Sequence, residues 1–277
     1  MTDKIETIGN SLVQHGQVND RVYLMKLHPD DLPQLPSRLE ELAAASGYGK
    51  IFAKIPSSAA LRFMRAGYRL EAEMPGFYDQ KSSAYFVAKY PDPSRGEERK
   101  PGLREEVLAA AVERQAVLTE PELPDGCQWR KACEEDADEM ARLFRRVFAS
   151  YPFPIHDPDY LRSSMEGSTV YFLVRQQGQL IAISSAEIDL DSQSVEMTDF
   201  ATLPERRGLG LALFLLRRME AQMAARGIRS FFTIARAYSF GMNITFARNG
   251  YSFGGTLPNN TNISGSLESM NVWYKIV

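Results

Sequence analysis

The sequence predicts an α/β (α+β) protein in which helices flank a mixed central sheet. Three segments rich in β-branched and aromatic residues, at 171–175, 180–188 and 195–202, follow one another, with a Gln-Gln-Gly turn after the first. Such a succession is typical of a meander of strands. The third segment leads through a glycine-punctuated turn into an amphipathic run that includes Met219 and Met223, which predicts a long helix. Strands that alternate with helices favour a sheet covered by helices.

Further elements are predicted on either side of the meander. Before it, a strand at 127–132 precedes a helix that has Asp136 near its start and apolar residues at helical spacing, namely Met140, Leu143, Phe144, Val147 and Phe148. The Tyr-Pro-Phe-Pro run at 151–154 ends that helix because neither proline can continue it. After the long helix, the pattern predicts a strand at 230–235, a short helix at 243–249, and closing strands at 251–257 and 270–277.

Composition and charge exclude several classes of partner. The 277 residues carry 32 Lys and Arg against 35 Asp and Glu, a formal charge of −3, without a dense basic tract, which argues against nucleic acid as a partner. With Cys127 and Cys133 as the two cysteines and only three histidines, a metal site of the usual Cys/His kind is not expected. We recognise no signal peptide and no run of ~20 apolar residues, so we expect a cytosolic protein that does not enter membranes.

The turn before the long helix has the features of a phosphate-binding loop. A helix start offers backbone N–H donors that have no intrahelical partner, together with the positive end of the helix dipole. Gly208 and Gly210 allow phosphate oxygens to approach the backbone without meeting a Cβ. Arg206 and Arg207 add planar, positively charged groups that suit phosphate. We therefore expect a ligand that carries a pyrophosphate; the alternative is a tight turn that merely begins a helix.

The segment Arg207-Gly208-Leu209-Gly210-Leu211-Ala212 resembles the Arg/Gln-x-x-Gly-x-Gly/Ala signature of the GNAT acetyltransferase superfamily. The resemblance covers roughly residues 127–277. It implies a GNAT fold, acetyl-CoA as co-substrate and a small-molecule amine as acceptor, and it leaves a homodimer open. The cofactor-binding residues that it implies are Ala201, Thr202, Leu203, Arg207, Gly208, Leu209, Gly210, Leu211, Ala212, Asn243 and Phe246.

Two carboxylates on the strand before the loop are the candidate catalytic groups. Transfer of an acetyl group to an amine requires that an alkylammonium lose its proton, and a neighbouring carboxylate can accept that proton. Glu196 lies where many members of the superfamily place a general-base glutamate, and Asp199 lies three residues later. On a regular strand these two side chains point to opposite faces, so only a bulge would bring both into one cleft. If the strand is regular, Glu196 is the expected base.

The resemblance also implies where the other catalytic groups lie. A backbone N–H near 200–202 would stabilise the developing oxyanion, and pantetheine would run beside 201–203. Many relatives present a tyrosine at the position of Phe246, which cannot donate a proton, so Tyr238, Tyr251 or water remain as sources of the proton for the departing thiolate. Asn243 corresponds to a helix-start asparagine that contacts the cofactor; it is alternatively a plain N-cap.

The first ninety residues look like a degenerate copy of the last sixty. The segment 47–53 aligns with 227–233, and Phe-Met-Arg-Ala-Gly-Tyr at 63–68 aligns with Phe-Ala-Arg-Asn-Gly-Tyr at 246–251. The segment that should correspond to the phosphate loop, 28–36, contains no glycine and cannot hold a phosphate.

We therefore divide the chain into an N-terminal GNAT-like half-domain at 1–90, a linker at 91–102 rich in Pro, Gly and charge, and an acetyltransferase domain at 103–277. The half-domain either completes the core, forms part of the substrate wall, or is a dimerisation arm.

Four further segments, 151–155, 197–202, 259–261 and 268–275, resemble the β-lysine N-acetyltransferases, which make the compatible solute Nε-acetyl-β-lysine. The resemblance implies β-lysine as the acceptor. Its amines need carboxylates, available as Glu196, Asp199 and Glu268, and its carboxylate needs a cation, for which the candidates are Arg142, Arg146 and Arg236. Another small amine, such as lysine or a polyamine, and a non-catalytic acetyl-CoA-binding module are the alternatives.

Overall fold

The structure, a computed structural model, describes residues 3–115 and 121–277. Its strands are β1 Lys4–Ile8, β2 Ser11–Gly16, β3 Arg21–Lys26, β4 Lys50–Pro56, β5 Arg69–Tyr78, β6 Ser82–Lys89, β7 Cys127–Lys131, β8 Thr169–Gln176, β9 Gln179–Asp189, β10 Ser194–Thr202, β11 Ser230–Arg236, β12 Ser252–Ile263 and β13 Ser266–Ile276. Its α-helices are α1 Leu35–Ser46, α2 Ala60–Arg65, α3 Pro101–Glu113, α4 Ala137–Val147, α5 Pro158–Glu166, α6 Leu211–Ala224 and α7 Phe240–Arg248. No helix in the described ranges is both long and apolar enough to cross a membrane.

The strands form one mixed sheet in the order β1-β2-β3-β4-β6-β5-β12-β13-β11-β10-β9-β8-β7. Read from its two ends, this order is the same in each half of the chain, apart from the additional edge strand β7. Each half has one parallel pair, β3 with β4 and β10 with β11. The two halves meet where the equivalent strands β5 and β12 pair antiparallel, with Gly255 opposite Ala72. The two halves therefore share one strand topology.

The segments that align in sequence occupy equivalent places in this topology. Gly47 ends α1 before β4, and Gly227 follows α6 before β11; both have positive φ, 69° and 83°. The glycine-free segment 28–36 connects β3 to α1, as the glycine-containing loop connects β10 to α6. The two loops therefore hold equivalent places, and only the second contains glycines.

The segment 91–102, which has the composition of a linker, is anchored between the halves. It contains a short 3-10 helix, Pro93–Gly96. Arg95 is buried there and pairs with Asp20 of the first half, while its Nη2 donates to the carbonyl oxygen of Asn259 in the second, at 2.9 Å. A cluster of buried apolar residues, which includes Phe52, Phe86 and Phe232, also joins the two halves. The halves are thus packed together through a shared core.

The structure confirms the predicted α+β class and the elements predicted from 127 to 236, adds one helix among them, and corrects the bounds of two later elements. The helix α5 was not predicted, although Asp157 caps its N-terminus by accepting from the N–H of Asp159 and Pro158 begins it. The helix α7 begins at Phe240 rather than at 243. The last hairpin is longer than expected because β12 continues to Ile263. Short polar stretches concealed these extensions, since local propensity is easily overridden by pairing and packing.

Candidate active site

A cleft opens where β10 separates from β11. Three residue pairs join these parallel strands, and the last of them is Glu196 opposite Phe232. On its other side, β10 remains paired with β9 as far as Thr202 opposite Ala182. Beyond Glu196, the β10 edge that faces β11 is therefore free to meet a ligand.

A bulge brings Glu196 and Asp199 to the same side of this cleft. The register between β9 and β10 shifts between Thr198 and Ala201, and Asp199 has a φ of 53°. Asp199 lies at this irregularity and departs from the alternation of the strand, so its side chain lines the same cavity as that of Glu196, while Phe200 continues the alternation set by Glu196. The condition that the sequence set for both carboxylates to share one site is therefore met.

The first of two cavities, which we call the inner cavity, has a volume of about 130 Å³. Its wall contains three carboxylates, Glu187, Glu196 and Asp199, and two guanidinium groups, Arg21 and Arg236. Further side chains from the first half (Tyr23, Met25 and Phe52) and from the segment after α4 (Phe148, Tyr151, Pro152 and Phe153) complete the wall together with residues of β10 to β13. The N-terminal half therefore contributes directly to the wall of the cavity.

The second cavity, which we call the loop cavity, has a volume of about 510 Å³ and adjoins the first. Its wall includes Arg206, Arg207, Gly208, Gly210 and the first turn of α6, together with residues of α7. The two cavities share the lining residues Phe148, Phe200, Arg236 and Met242. A molecule lying in the loop cavity would therefore end beside the carboxylates of the inner cavity.

The loop has the geometry required to hold a phosphate. Gly208 and Gly210 have φ values of 83° and 74°, and a Cβ at either would have no neighbouring atom within 4 Å, so the space beside the backbone is open. Gly210 precedes α6 without any side-chain cap, which leaves the first N–H groups of the helix available to a ligand. Arg206 and Arg207 lie on the same wall. These features fit the pyrophosphate of coenzyme A.

The residues predicted to bind the cofactor divide into two groups. Those that line the loop cavity are Thr202, Arg207, Gly208, Gly210, Leu211 and Ala212. Leu209 is 41% exposed and belongs to neither cavity wall, whereas Ala201, Leu203 and Phe246 are buried in the core. Alternation along β10 explains Ala201 and Leu203, because Phe200 and Thr202 face the cleft. For these buried residues, only backbone groups are left to meet a ligand.

Asn243 differs from the prediction. Ser239, not Asn243, is the N-cap of α7 and accepts from the N–H of Met242. Asn243 is fully buried one turn into the helix, where its Nδ2 donates to the carbonyl oxygen of Arg236 at 3.0 Å. Its Oδ1 accepts from the indole N–H of Trp273 at 2.9 Å. Asn243 therefore joins α7 to β11 and β13 and lines neither cavity.

Phe246 is buried and lines neither cavity. Its ring makes edge contacts with Phe200, at 5.6 Å between centroids, and with Tyr251, at 5.0 Å. Tyr251 is fully buried, and the hydroxyl of Tyr238 donates to Glu98 at 2.5 Å. Neither tyrosine is part of either cavity wall. Both therefore lie outside the site that would require a proton donor.

Tyr151 lines the inner cavity, and no chemical role was predicted for it from the sequence. Its hydroxyl donates to Oδ1 of Asp199 at 2.6 Å, and the hydroxyl of Ser185 donates to Oδ2 at 2.7 Å. Burial raises the pKa of Asp199, and these two hydrogen bonds oppose the rise. Asp199 is thus held in a fixed orientation with both oxygens engaged.

Glu196 has the properties of a proton acceptor. Burial raises its pKa to about 7, the neighbouring Asp199 also raises it, and Lys54 and Arg21 oppose the rise. The pKa of Glu187 is raised well above its usual value, by burial and by the charges of Glu196 and Asp199. Glu187 was not predicted from the sequence. The structure places it on β9 directly opposite Glu196.

Glu268 was predicted to bind substrate, but it is already paired. Arg236 donates to it through Nε at 2.9 Å and through Nη2 at 2.6 Å. Glu268 lies outside both cavity walls, whereas Arg236 belongs to both. Of the other arginines proposed for a substrate carboxylate, Arg142 is exposed and Arg146 pairs with Glu205 at the surface, at 3.0 Å.

Comparisons with known proteins agree with this geometry. Residues 132–251 match the acetyltransferase (GNAT) family. The chain is 38% identical to a β-lysine N(6)-acetyltransferase of Methanococcus maripaludis over 274 residues, which is 99% of each chain. It is 29% identical to a β-lysine N(6)-acetyltransferase of Methanosarcina mazei, over 88% of this chain and 97% of the relative. It is 42% identical to the N-acetyltransferase YodP of Bacillus subtilis, over 53% of each chain.

Proposed function

The chain belongs to the GNAT family of acetyl-CoA-dependent N-acetyltransferases, and we propose that its acceptor is the ε-amine of β-lysine, 3,6-diaminohexanoate. The observation that carries this proposal is the junction of the two cavities. There a loop built for a pyrophosphate ends beside a compartment with three carboxylates and two guanidinium groups. A substrate with two ammonium groups and one carboxylate has the charges that complement this compartment.

The loop cavity is the binding site that we assign to coenzyme A. The N–H groups at the start of α6, with Arg206 and Arg207, would hold the pyrophosphate, and Gly208 and Gly210 would let it approach. The backbone of 200–202 on the free edge of β10 would contact the pantetheine and supply an N–H to the carbonyl oxygen of the acetyl group. Acetyl-CoA itself supplies the acetyl group as an activated thioester.

Glu196 is the residue that we assign as general base. An ε-ammonium is almost fully protonated at neutral pH, so its nitrogen must lose a proton before it can form the new amide bond. Glu196 with a pKa of about 7 can attract the ammonium, receive this proton and release it to solvent. The C–N bond then forms as the C–S bond breaks, the nitrogen loses its second proton to Glu196 once that group has released the first, and the sulfur leaves as a thiolate that solvent protonates. Asp199, fixed by Tyr151 and Ser185, would orient the amine.

The relatives support β-lysine as the acceptor. The two proteins that match this chain over nearly their whole length are both β-lysine N(6)-acetyltransferases. One of them is 38% identical, and its match extends over the N-terminal half as well as the GNAT region. An acceptor recognised by both halves would account for a similarity that extends beyond residues 132–251.

We also propose that residues 1–90 are a non-catalytic copy of the acetyltransferase half that forms a substrate wall. The shared strand order supports the copy, and the glycine-free segment 28–36 explains why this half would not bind a pyrophosphate. Tyr23 and Phe52 in the wall of the inner cavity support the second role. The position of these two side chains favours a substrate wall over a simple dimerisation arm.

The experiment is a thiol-release assay on the purified protein with acetyl-CoA and one acceptor at a time: β-lysine, α-lysine, cadaverine or spermidine at equal concentration. We expect the fastest turnover with β-lysine and slower turnover with α-lysine, whose second ammonium is displaced by one carbon. Faster turnover of cadaverine or spermidine would identify a polyamine acetyltransferase instead. Coenzyme A binding without turnover of any acceptor would indicate a regulatory module.

A further inference from the structure

Arg21 is a buried cation that faces the inner cavity without a negatively charged partner. It lies on β3 of the N-terminal half and is 3% exposed. Nη1 donates to the carbonyl oxygen of Asn260 at 2.5 Å and to the hydroxyl of Thr261 at 3.1 Å, and Nη2 donates to Oε1 of Gln14 at 3.2 Å. In the described ranges, no carboxylate oxygen lies within 4.0 Å of this guanidinium. All of its protein partners are therefore neutral.

Two polar atoms at this end of the cavity have no hydrogen-bond partner among the residues that the structure describes. They are Nε of Arg21, a donor, and Oδ1 of Asn260, an acceptor. Both residues line the inner cavity, and Asn260 is 1% exposed. An irregularity in β12 between Leu257 and Thr261 places Asn260 there. Buried polar groups are rarely left unpaired in native proteins, so an orphan donor and acceptor in a cavity wall indicate a ligand with matching groups.

Two arginines near Arg21, the buried Arg95 and the partly buried Arg236, differ from it in their partners. Arg95, which also joins the two halves, pairs with the carboxylate of Asp20. Arg236, which also lines the inner cavity, pairs with Glu268 through two hydrogen bonds. Burial lowers the pKa of Arg21 to about 10, so this group keeps its charge at neutral pH. Asp3 and Glu196 interact with its charge only at longer range, so Arg21 is the buried guanidinium of this wall that has no carboxylate at ion-pair distance among the described residues.

We propose that Arg21 and Asn260 form a subsite for the amino-acid end of the acceptor, in which Arg21 binds the carboxylate and Oδ1 of Asn260 accepts from the adjacent ammonium. This proposal rests on the proposed function and deepens it. It makes the N-terminal half the part of the enzyme that distinguishes an amino acid from a polyamine. The three carboxylates Glu187, Glu196 and Asp199 then serve the reacting end of the acceptor.

The test compares acceptors that lack one group at a time. We use β-lysine, 1,4-diaminopentane, which is β-lysine without its carboxylate, and 6-aminohexanoate, which lacks the second ammonium. For the wild type, we expect kcat/KM for β-lysine to exceed that for 1,4-diaminopentane by ~10²-fold, because without the carboxylate a buried charge stays unpaired. In Arg21→Gln, KM for β-lysine should rise until this preference falls below ~10-fold, because kcat/KM for β-lysine falls by a much larger factor than kcat/KM for 1,4-diaminopentane.

The second member of the subsite has its own comparison. Asn260→Ala should reduce kcat/KM for β-lysine by ~10-fold or more and change kcat/KM for 6-aminohexanoate by less than ~3-fold. The reason is that only β-lysine carries the second ammonium, which donates a hydrogen bond to Asn260. Arg95→Gln is the matched control, since it removes another buried arginine that bridges the halves away from the cavity wall. It should leave the ratio of β-lysine to 1,4-diaminopentane unchanged.

Equal losses on β-lysine and 1,4-diaminopentane in Arg21→Gln would show a purely structural role and overturn the subsite. If Arg21→Gln does not fold, Arg21→Lys retains the charge but not the planar fork, and it should raise KM for β-lysine while sparing 1,4-diaminopentane. A wild type that acetylates β-lysine no faster than 1,4-diaminopentane overturns the subsite but not the proposed function. If α-lysine is preferred to cadaverine with the same dependence on Arg21 while β-lysine is not a substrate, the proposed acceptor is wrong and the subsite stands.

Discussion

Glu196 and Asp199 line the same cavity although they lie three positions apart on one strand. Asp199 has a positive φ beside a register shift and departs from the side-chain alternation, and Tyr151 and Ser185 hold its carboxylate in place. A non-glycine residue in this backbone conformation costs of order 1–3 kcal/mol, and such strain is concentrated at functional sites. The regular pairing of β10 with β9 is therefore interrupted next to the cavity that the two carboxylates line.

The first prediction concerns the general base. Glu196→Gln keeps the shape of the side chain but cannot accept a proton, so kcat should fall ~10²-fold or more. In the wild type, kcat/KM should rise with pH around pH 7, because Glu196 must be deprotonated to act and its pKa is about 7. This rise should be absent from the variant. Full activity of Glu196→Gln at saturating substrate would assign the role to Asp199 or solvent.

The second prediction concerns the hydrogen bond that holds Asp199. Tyr151→Phe removes a donor that lowers the pKa of Asp199, so that pKa should rise further. We expect kcat/KM at neutral pH to fall ~10-fold and its pH dependence to move toward higher pH. Tyr171→Phe is the control, because this buried hydroxyl contacts Ser164 and does not line the cavity. A pH profile identical to that of the wild type would mean that Tyr151 does not influence the reacting groups.

The third prediction concerns the phosphate loop. Gly210→Asp places a carboxylate in the open space beside the backbone, where we expect the pyrophosphate. Charge repulsion should weaken coenzyme A binding by ~10²-fold, measured by calorimetry. Gly178→Asp is the control, because Gly178 also has a positive φ, 83°, in a hairpin turn outside both cavity walls. Unchanged coenzyme A affinity in Gly210→Asp would remove this loop from the site.

The fourth prediction concerns stability and pH. The pKa of Glu187 is raised above its ordinary value of 4.5, so the folded protein retains a proton that the unfolded chain loses as pH rises. The unfolded state then binds fewer protons, and the free energy of unfolding falls with increasing pH. Glu187→Gln should reduce this fall between pH 5 and pH 8. Urea denaturation at both pH values measures it; parallel curves for variant and wild type would contradict the assignment.

The parts of the site that depend on local sequence were predictable. The loop at 206–212 is recognisable in the sequence because a helix start, two glycines and two arginines are adjacent in the chain. The strand that carries Glu196 was predicted from its β-branched and aromatic residues, and the repeated Gly-Tyr segments indicated the second half-domain. The bulge at Asp199 could be stated only as a condition, because no glycine or proline marks it.

The parts that depend on contacts between distant segments were not predictable. Arg21 meets Asn260 although 239 residues separate them, because the pairing of β5 with β12 and a shared apolar cluster bring their halves together. The pairing of Glu268 with Arg236 across neighbouring strands removed a predicted substrate contact. Asn243 looked like a helix cap because the preceding turn of α7 was not recognised. In each case the side-chain partner is set by sheet topology rather than by neighbours in sequence.

The most direct test of the account is a single competition reaction. The purified enzyme receives acetyl-CoA with equal concentrations of β-lysine and spermidine, and the acetylated products are identified by mass spectrometry and NMR. We predict that Nε-acetyl-β-lysine is the main product and that its acetyl group is on the ε-nitrogen. Acetylspermidine as the main product, or β-lysine acetylated on its β-nitrogen, would contradict the assignment of the acceptor and of its orientation in the inner cavity.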